Sequence, residues 1–170
     1  MDAFERNQFE PVLRRFETSR VRFTTLSKLG DTPAARRSLY ELNKTCSADI
    51  PERGAFYTFD EYVDQRLNAA PYDPRGVALA LDGDVWAGMT MTSLHRAQDH
   101  AFSEMTGILR SHRRQGLSLA LKVLAIDFAR TSGMRWLRTF HHPTNFAAIA
   151  MNRRLGFVDD LDELAAERLH

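Results

Sequence analysis

Apolar positions recur along the chain in two periods, and the switches between them lay out its elements. Phe9, Val12, Leu13 and Phe16 fall at helical spacing with Pro11 near the start, which predicts a helix over about 9–19. Residues 21–26 are β-branched and aromatic and predict a strand. Asp31 and Thr32 before Pro33 mark a helix start, and Ala35, Leu39, Leu42 and Cys46 give that helix its apolar face. Residues 47–57 carry Pro51 and Gly54 and read as a loop. Thr58 with Glu61 three positions on predicts a capping box that opens a helix to about Leu67. Strands over 77–81 and 85–94 flank the turn Asp82-Gly83-Asp84, and a third strand runs over 100–109. The longest apolar stripe, Leu117, Ala120, Leu121, Leu124 and Phe128, predicts a deeply packed helix over 116–131 that Gly133 can end. A strand over 134–140 and a helix over 145–155 closed by Gly156 follow. Residues 158–170 are ambiguous between helix and strand. Trp86 and Trp136 lie within strand patterns and read as core.

Hairpins early and a crossover late make this an α/β chain with a mixed sheet. Residues 1–8 are polar and read as a flexible lead to a single domain over 9–170. With 44% hydrophobic and 26% charged residues the balance is that of a globular protein. The lone Cys46 excludes an intramolecular disulfide. A net charge of +1 gives no global field toward nucleic acid or membrane. No apolar run approaches the roughly 20 residues of a membrane span, and the first residues carry charges where a signal peptide is apolar, so the expectation is a cytoplasmic protein. No HExxH or similar spacing is present, and no metal is expected.

The densest chemistry lies at residues 108–118, where a strand ends, a basic turn follows and small residues open the long helix. The first turn of a helix carries unpaired N–H groups and partial positive charge. Gly116 and Ser118 let an anion approach the backbone, and Arg113 and Arg114 add charge, which is one way to hold a pyrophosphate. Neither GxGxxG nor GxxxxGK[ST] is present, so neither nucleotide fingerprint accounts for the turn. Arg110, Arg113 and Arg114 do not suit a nucleic-acid platform, since no aromatic residues interleave them.

Two motifs together resemble the GNAT family of acyl-CoA-dependent N-acyltransferases. The family's cofactor turn, R/Q-x-x-G-x-G/A, is matched by Arg113, Gly116 and Ser118, with serine at the last position. Its late-helix pattern is matched by Asn145, Ala148, Asn152, Gly156 and Phe157. The segment 106–122 looks most like single domains of the tandem, mycothiol-synthase-like kind. The resemblance implies a mixed, mostly antiparallel sheet, flanked by helices, with a splayed central strand pair formed by 104–109 and 134–140. It implies acetyl-CoA as co-substrate, with Ile108 and Arg110 giving backbone contacts to pantetheine. Gln115, Gly116, Leu117 and Ser118, beside Arg113 and Arg114, would hold the pyrophosphate, and Asn145 would meet the pantetheine arm. The activity implied is direct transfer of an acetyl group to a primary amine, small-molecule or peptide, with a homodimer left open. The alternative is a non-catalytic acyl-CoA-binding module.

Many family members protonate the leaving thiolate from a tyrosine where this chain has Asn152, and an asparagine amide cannot act as an acid. For the general base two candidates stand. Glu104 lies four residues before Ile108, so strict alternation predicts that both share a strand face. His141 and His142 follow strand 134–140, with His142 the preferred of the two. Asp49, Tyr57 and Tyr62 lie in or beside the loop that borders the acceptor site in this family.

Overall fold

A computed structural model describes residues 4–50 and 54–159; the ambiguous tail falls almost wholly outside them. Helix α1 (Glu10–Arg14) leads to strand β1 (Val21–Thr25), the one-turn helix α2 (Leu26–Leu29) and helix α3 (Pro33–Ser47). Helix α4 (Phe59–Tyr62) runs directly into a π-helical turn, Val63–Leu67. Strands β2 (Val77–Asp82), β3 (Val85–His95) and β4 (His100–Ile108) follow, then helix α5 (Leu117–Thr131), strand β5 (Trp136–Thr139) and helix α6 (Phe146–Arg154). The sheet order is β1-β2-β3-β4-β5. The first three joints are antiparallel, β2–β3 and β3–β4 as hairpins and β1–β2 across the helices between them. Only β4–β5 is parallel, as a crossover through α5 requires.

Local chemistry sets most boundaries where the pattern placed them. The Thr32 hydroxyl accepts from the Ala35 N–H and starts α3 at Pro33. Thr58 and Glu61 form the reciprocal capping box of α4. Three expectations change. Helix α1 stops at Arg14, because residues 15–20 turn back toward β1 through Phe16 N–H to Leu13 C=O. The segment read as a flexible lead is tied down from Phe4 on: Phe4 stacks on Phe9, and the Arg6 guanidinium grips Asp127 of α5 at 2.8 Å. Trp136, read as core, is 53% exposed, since β5 is the edge strand among the described residues and Arg135 lies over the indole.

The two faces of the sheet carry separate apolar clusters. Leu39, Leu42 and Cys46 of α3, with Tyr62 and Leu67, cover Leu79, Met89 and Met91. On the other face Leu117, Ala120 and Leu121 of α5, with Phe16, cover Ala78, Ala80 and Ile108. Burying each such aliphatic side chain contributes about 1.5–3 kcal/mol, so α3 and α5 fix the sheet between them.

Candidate functional site at a forked strand pair

Strand β4 pairs with β5 only from His100↔Trp136 to Ser103↔Thr139. Strand β5 ends there, and β4 continues to Ile108 with its outer edge open. The fork coincides with a β-bulge. Thr92 pairs with Ser103 and Met91 with Met105, so Glu104 is the extra residue that β3 does not match. The bulge reverses the alternation. Ile108 packs under α5, whereas Glu104 faces Arg66 and Ser93 on the α3 side. The expected shared face of Glu104 and Ile108 is therefore not found.

Glu104 is fully engaged: one carboxylate oxygen accepts from Ser93 Oγ (2.6 Å), the other from an Arg66 terminal nitrogen (3.1 Å). Arg66 also donates to the Tyr57 hydroxyl (3.2 Å), and Ser93 Oγ lies 3.1 Å from His95 Nε2. The aromatic cluster of Tyr40, Phe56, Tyr57 and Tyr62 holds this wall, and Asn43 Nδ2 donates to the buried Tyr62 hydroxyl. A cavity of about 160 Å³ opens beside Glu104.

Beneath the fork lies Lys122, 3% exposed, donating to Ser103 Oγ (2.6 Å) and reaching Thr139 Oγ1 (3.4 Å). It clasps the last rung before the strands part. Burial pushes its ammonium pKa from 10.5 down to about 8. Between those values the unfolded chain holds a proton the folded one has released, so this residue makes stability rise with pH across the window from about 8 to 10.5. The rise is on the order of 3 kcal/mol. Lys122→Met should lack it when denaturant unfolding is followed from pH 7.5 to 10.5 beside the wild type; an identical slope in both proteins contradicts the assignment.

At the far end of the open edge the chain makes the basic turn. Arg114 has φ +62° and Gly116 φ +86°. The left-handed Gly116 followed by helical Leu117 turns successive N–H groups inward, the arrangement of an anion nest. Side chains of Thr32 and Asn145 cap α3 and α6, but none caps α5. The first N–H groups of a 15-residue helix, at Gln115, Gly116, Leu117 and Ser118, thus have no side-chain cap among the described residues. A third cation comes from a segment the sequence did not flag: an Arg15 terminal nitrogen lies 3.2 Å from where a Cβ on Gly116 would stand.

The other basic side chains are placed differently from expectation. Arg110 lies in a 3-10 turn after β4 has ended, so its carbonyl accepts from Arg113 N–H instead of facing the fork. Both Arg110 and Arg113 grip Asp49 beyond the end of α3, and these guanidinium groups hold its carboxyl well below the usual carboxylate range. Arg113 Nε also donates to the Ile108 carbonyl (3.1 Å). Leu109 N–H bonds Ala87 C=O, so alternation turns the polar groups of Ile108 toward the open side.

Asn145 Oδ1 accepts from Ala148 N–H and is the N-cap of α6. His142 Nδ1 is 2.8 Å from Thr144 Oγ1, within the turn after β5. Asn152 is 4% exposed, and its side-chain Oδ1 is buried without a hydrogen-bond partner among the described residues, as is His141 Nδ1. A buried orphan amide is costly unless a ligand or water completes it, which fits Asn152 to an amide-bearing arm.

Residues 36–157 match the Acetyltransferase (GNAT) family. Mycothiol acetyltransferase of Streptomyces scabiei (strain 87.22) is 28% identical over 116 residues, which cover 68% of this chain and 37% of that protein. The chain thus spans little more than a third of that relative. Among solved structures, the ribosomal-protein-S18-alanine N-acetyltransferase from Escherichia coli superposes with a TM-score of 0.64 at 18% identity, over 82% of this chain and 79% of that one. The NatC complex bound to Gag peptide and CoA gives a TM-score of 0.61 at 18% identity, over 82% and 86%. Likenesses at this identity concern the fold.

Proposed function

The chain belongs to the GNAT acetyltransferase family, and from that premise we propose that it moves an acetyl group from acetyl-CoA directly to a primary amine in the cytoplasm. The observation that supports this best is the open outer edge of β4, which runs from Glu104 past the last β5 rung to the turn that starts the uncapped α5. The pyrophosphate takes the N–H groups at Gly116, Leu117 and Ser118, with Arg15, Arg114 and Gln115 beside it. Pantetheine lies in the fork, where Ile108 offers its N–H and the buried Asn152 amide completes its hydrogen bonds. The thioester then sits near the bulge.

There the ammonium of the acceptor gives a proton to the Glu104 carboxylate. The freed nitrogen lone pair attacks the thioester carbonyl carbon, a C–N bond forms, and unpaired N–H groups of β4 stabilise the oxyanion. Collapse breaks the C–S bond, and sulfur leaves with the electron pair. The second nitrogen proton reaches that thiolate directly or through water, giving amide and free thiol. Asn152 only orients groups in this scheme. Asn152→Ala should lower turnover about tenfold, the loss of one neutral hydrogen bond, and a loss of a thousandfold would make it indispensable to proton transfer. The reading as a whole is tested by release of coenzyme A thiol from acetyl-CoA against a panel of amines. Binding of acetyl-CoA without turnover of any amine would favour the acyl-CoA-binding module.

A further inference from the structure

The acceptor cavity has a composition of its own. Its wall pairs one guanidinium with one carboxylate, Arg66 and Glu104, 3.1 Å apart, and Gln65, Ser93, His95 and Met91 line it around them. At about 160 Å³ it has room for about five waters, or one molecule of fewer than about ten heavy atoms. Arg66 lies in a π turn, Val63–Leu67, a distortion that recurs at functional sites. The Tyr57 hydroxyl and ring hold the guanidinium in place.

Transfer by the route above turns Glu104 toward the acceptor's ammonium. Arg66, whose side chain is 35% exposed, then gives up its carboxylate partner among the described residues. An unpaired guanidinium in a half-buried wall is costly, and a carboxylate on the acceptor removes that cost. Arginine presents a planar fork suited to such a group. An α-amino acid carries ammonium and carboxylate on the same carbon, so both can reach a cation and an anion that stand side by side.

The geometry points to a small zwitterionic acceptor, an α-amino acid, whose carboxylate pairs with Arg66 while its amine meets Glu104. This rests on the acetyl-transfer reading above. The test measures coenzyme A release from acetyl-CoA with each of the twenty standard α-amino acids and with the carboxamide of every acid turned over. At least one acid should exceed its own amide in kcat/KM by thirtyfold or more. Arg66→Gln should narrow that preference to within threefold by raising KM for the acid, with KM for acetyl-CoA kept, and Arg66→Lys should restore part of it. Melting curves of both variants show whether the fold is intact. Amides or N-terminal peptides acetylated as well as any acid, or Arg66→Gln lowering acid and amide equally, overturn the inference and leave acetyl transfer standing. Absence of acetyl-CoA binding by calorimetry in the wild type overturns the transfer reading itself.

Discussion

Replacing Glu104 by glutamine should lower turnover about a hundredfold, in the range for loss of a general base, while KM for acetyl-CoA stays within a factor of two. The carboxylate stands at the bulge where β5 ends, lines the cavity beside Arg66, and lies at the opposite end of the open β4 edge from the turn at Gly116. Glutamine keeps the shape, and its one carbonyl oxygen can accept from Arg66 while its amide N–H donates to Ser93 Oγ, but it cannot take a proton. The acidic limb of the pH–rate profile should disappear with it. Glu104→Gln with full turnover, beside His142→Ala without it, would move the base to the turn after β5.

Gly116→Asp is expected to weaken acetyl-CoA binding by at least tenfold in calorimetry, with the fold retained. Gly116 holds φ +86° at the start of α5, where an L-residue costs about 1–2 kcal/mol, so a lower melting temperature should accompany the change. The larger effect is electrostatic. The carboxylate would occupy the mouth of the nest and take up Arg15, whose guanidinium is the nearest group to the new Cβ. Unchanged affinity would show that the α5 start does not hold the anion.

What the sequence made legible was whatever local chemistry decides. Thr32-Pro33, the Thr58–Glu61 box, the hairpin at Gly83 and the stripe of α5 each satisfy their own backbone or bury their own face, and each appears where the pattern set it. Asn145, Gly156 and the turn at Gly116 were legible in the same way. What stayed hidden was set by partners distant in the chain. Asp49 gathers Arg110 and Arg113 from sixty residues away, so two cations that look available to a phosphate are already paired. Arg15 reaches Gly116 only because α1 packs near α5. Arg66 gave no signal, since a π turn looks like any amphipathic helix in a sequence. The bulge at Glu104 was equally silent: no glycine or proline marks it within 100–106, and alternation carried through it put Glu104 on the wrong face.

That single unmatched residue binds two properties into one inheritance. It stands next to the last β4–β5 rung, Ser103–Thr139, and its carboxylate lines the cavity. Remove one residue there and the strand regains its plain two-residue rhythm. Met105 would then follow Ser103 directly, the pairs beyond would keep their β3 partners, and the carboxylate at the last β4–β5 rung would be gone. A lineage of such chains can therefore exchange loops around the cavity while the bulge and its carboxylate stay together. It cannot remove the bulge by losing Glu104 and keep the carboxylate beside the cavity, because a one-codon deletion takes both.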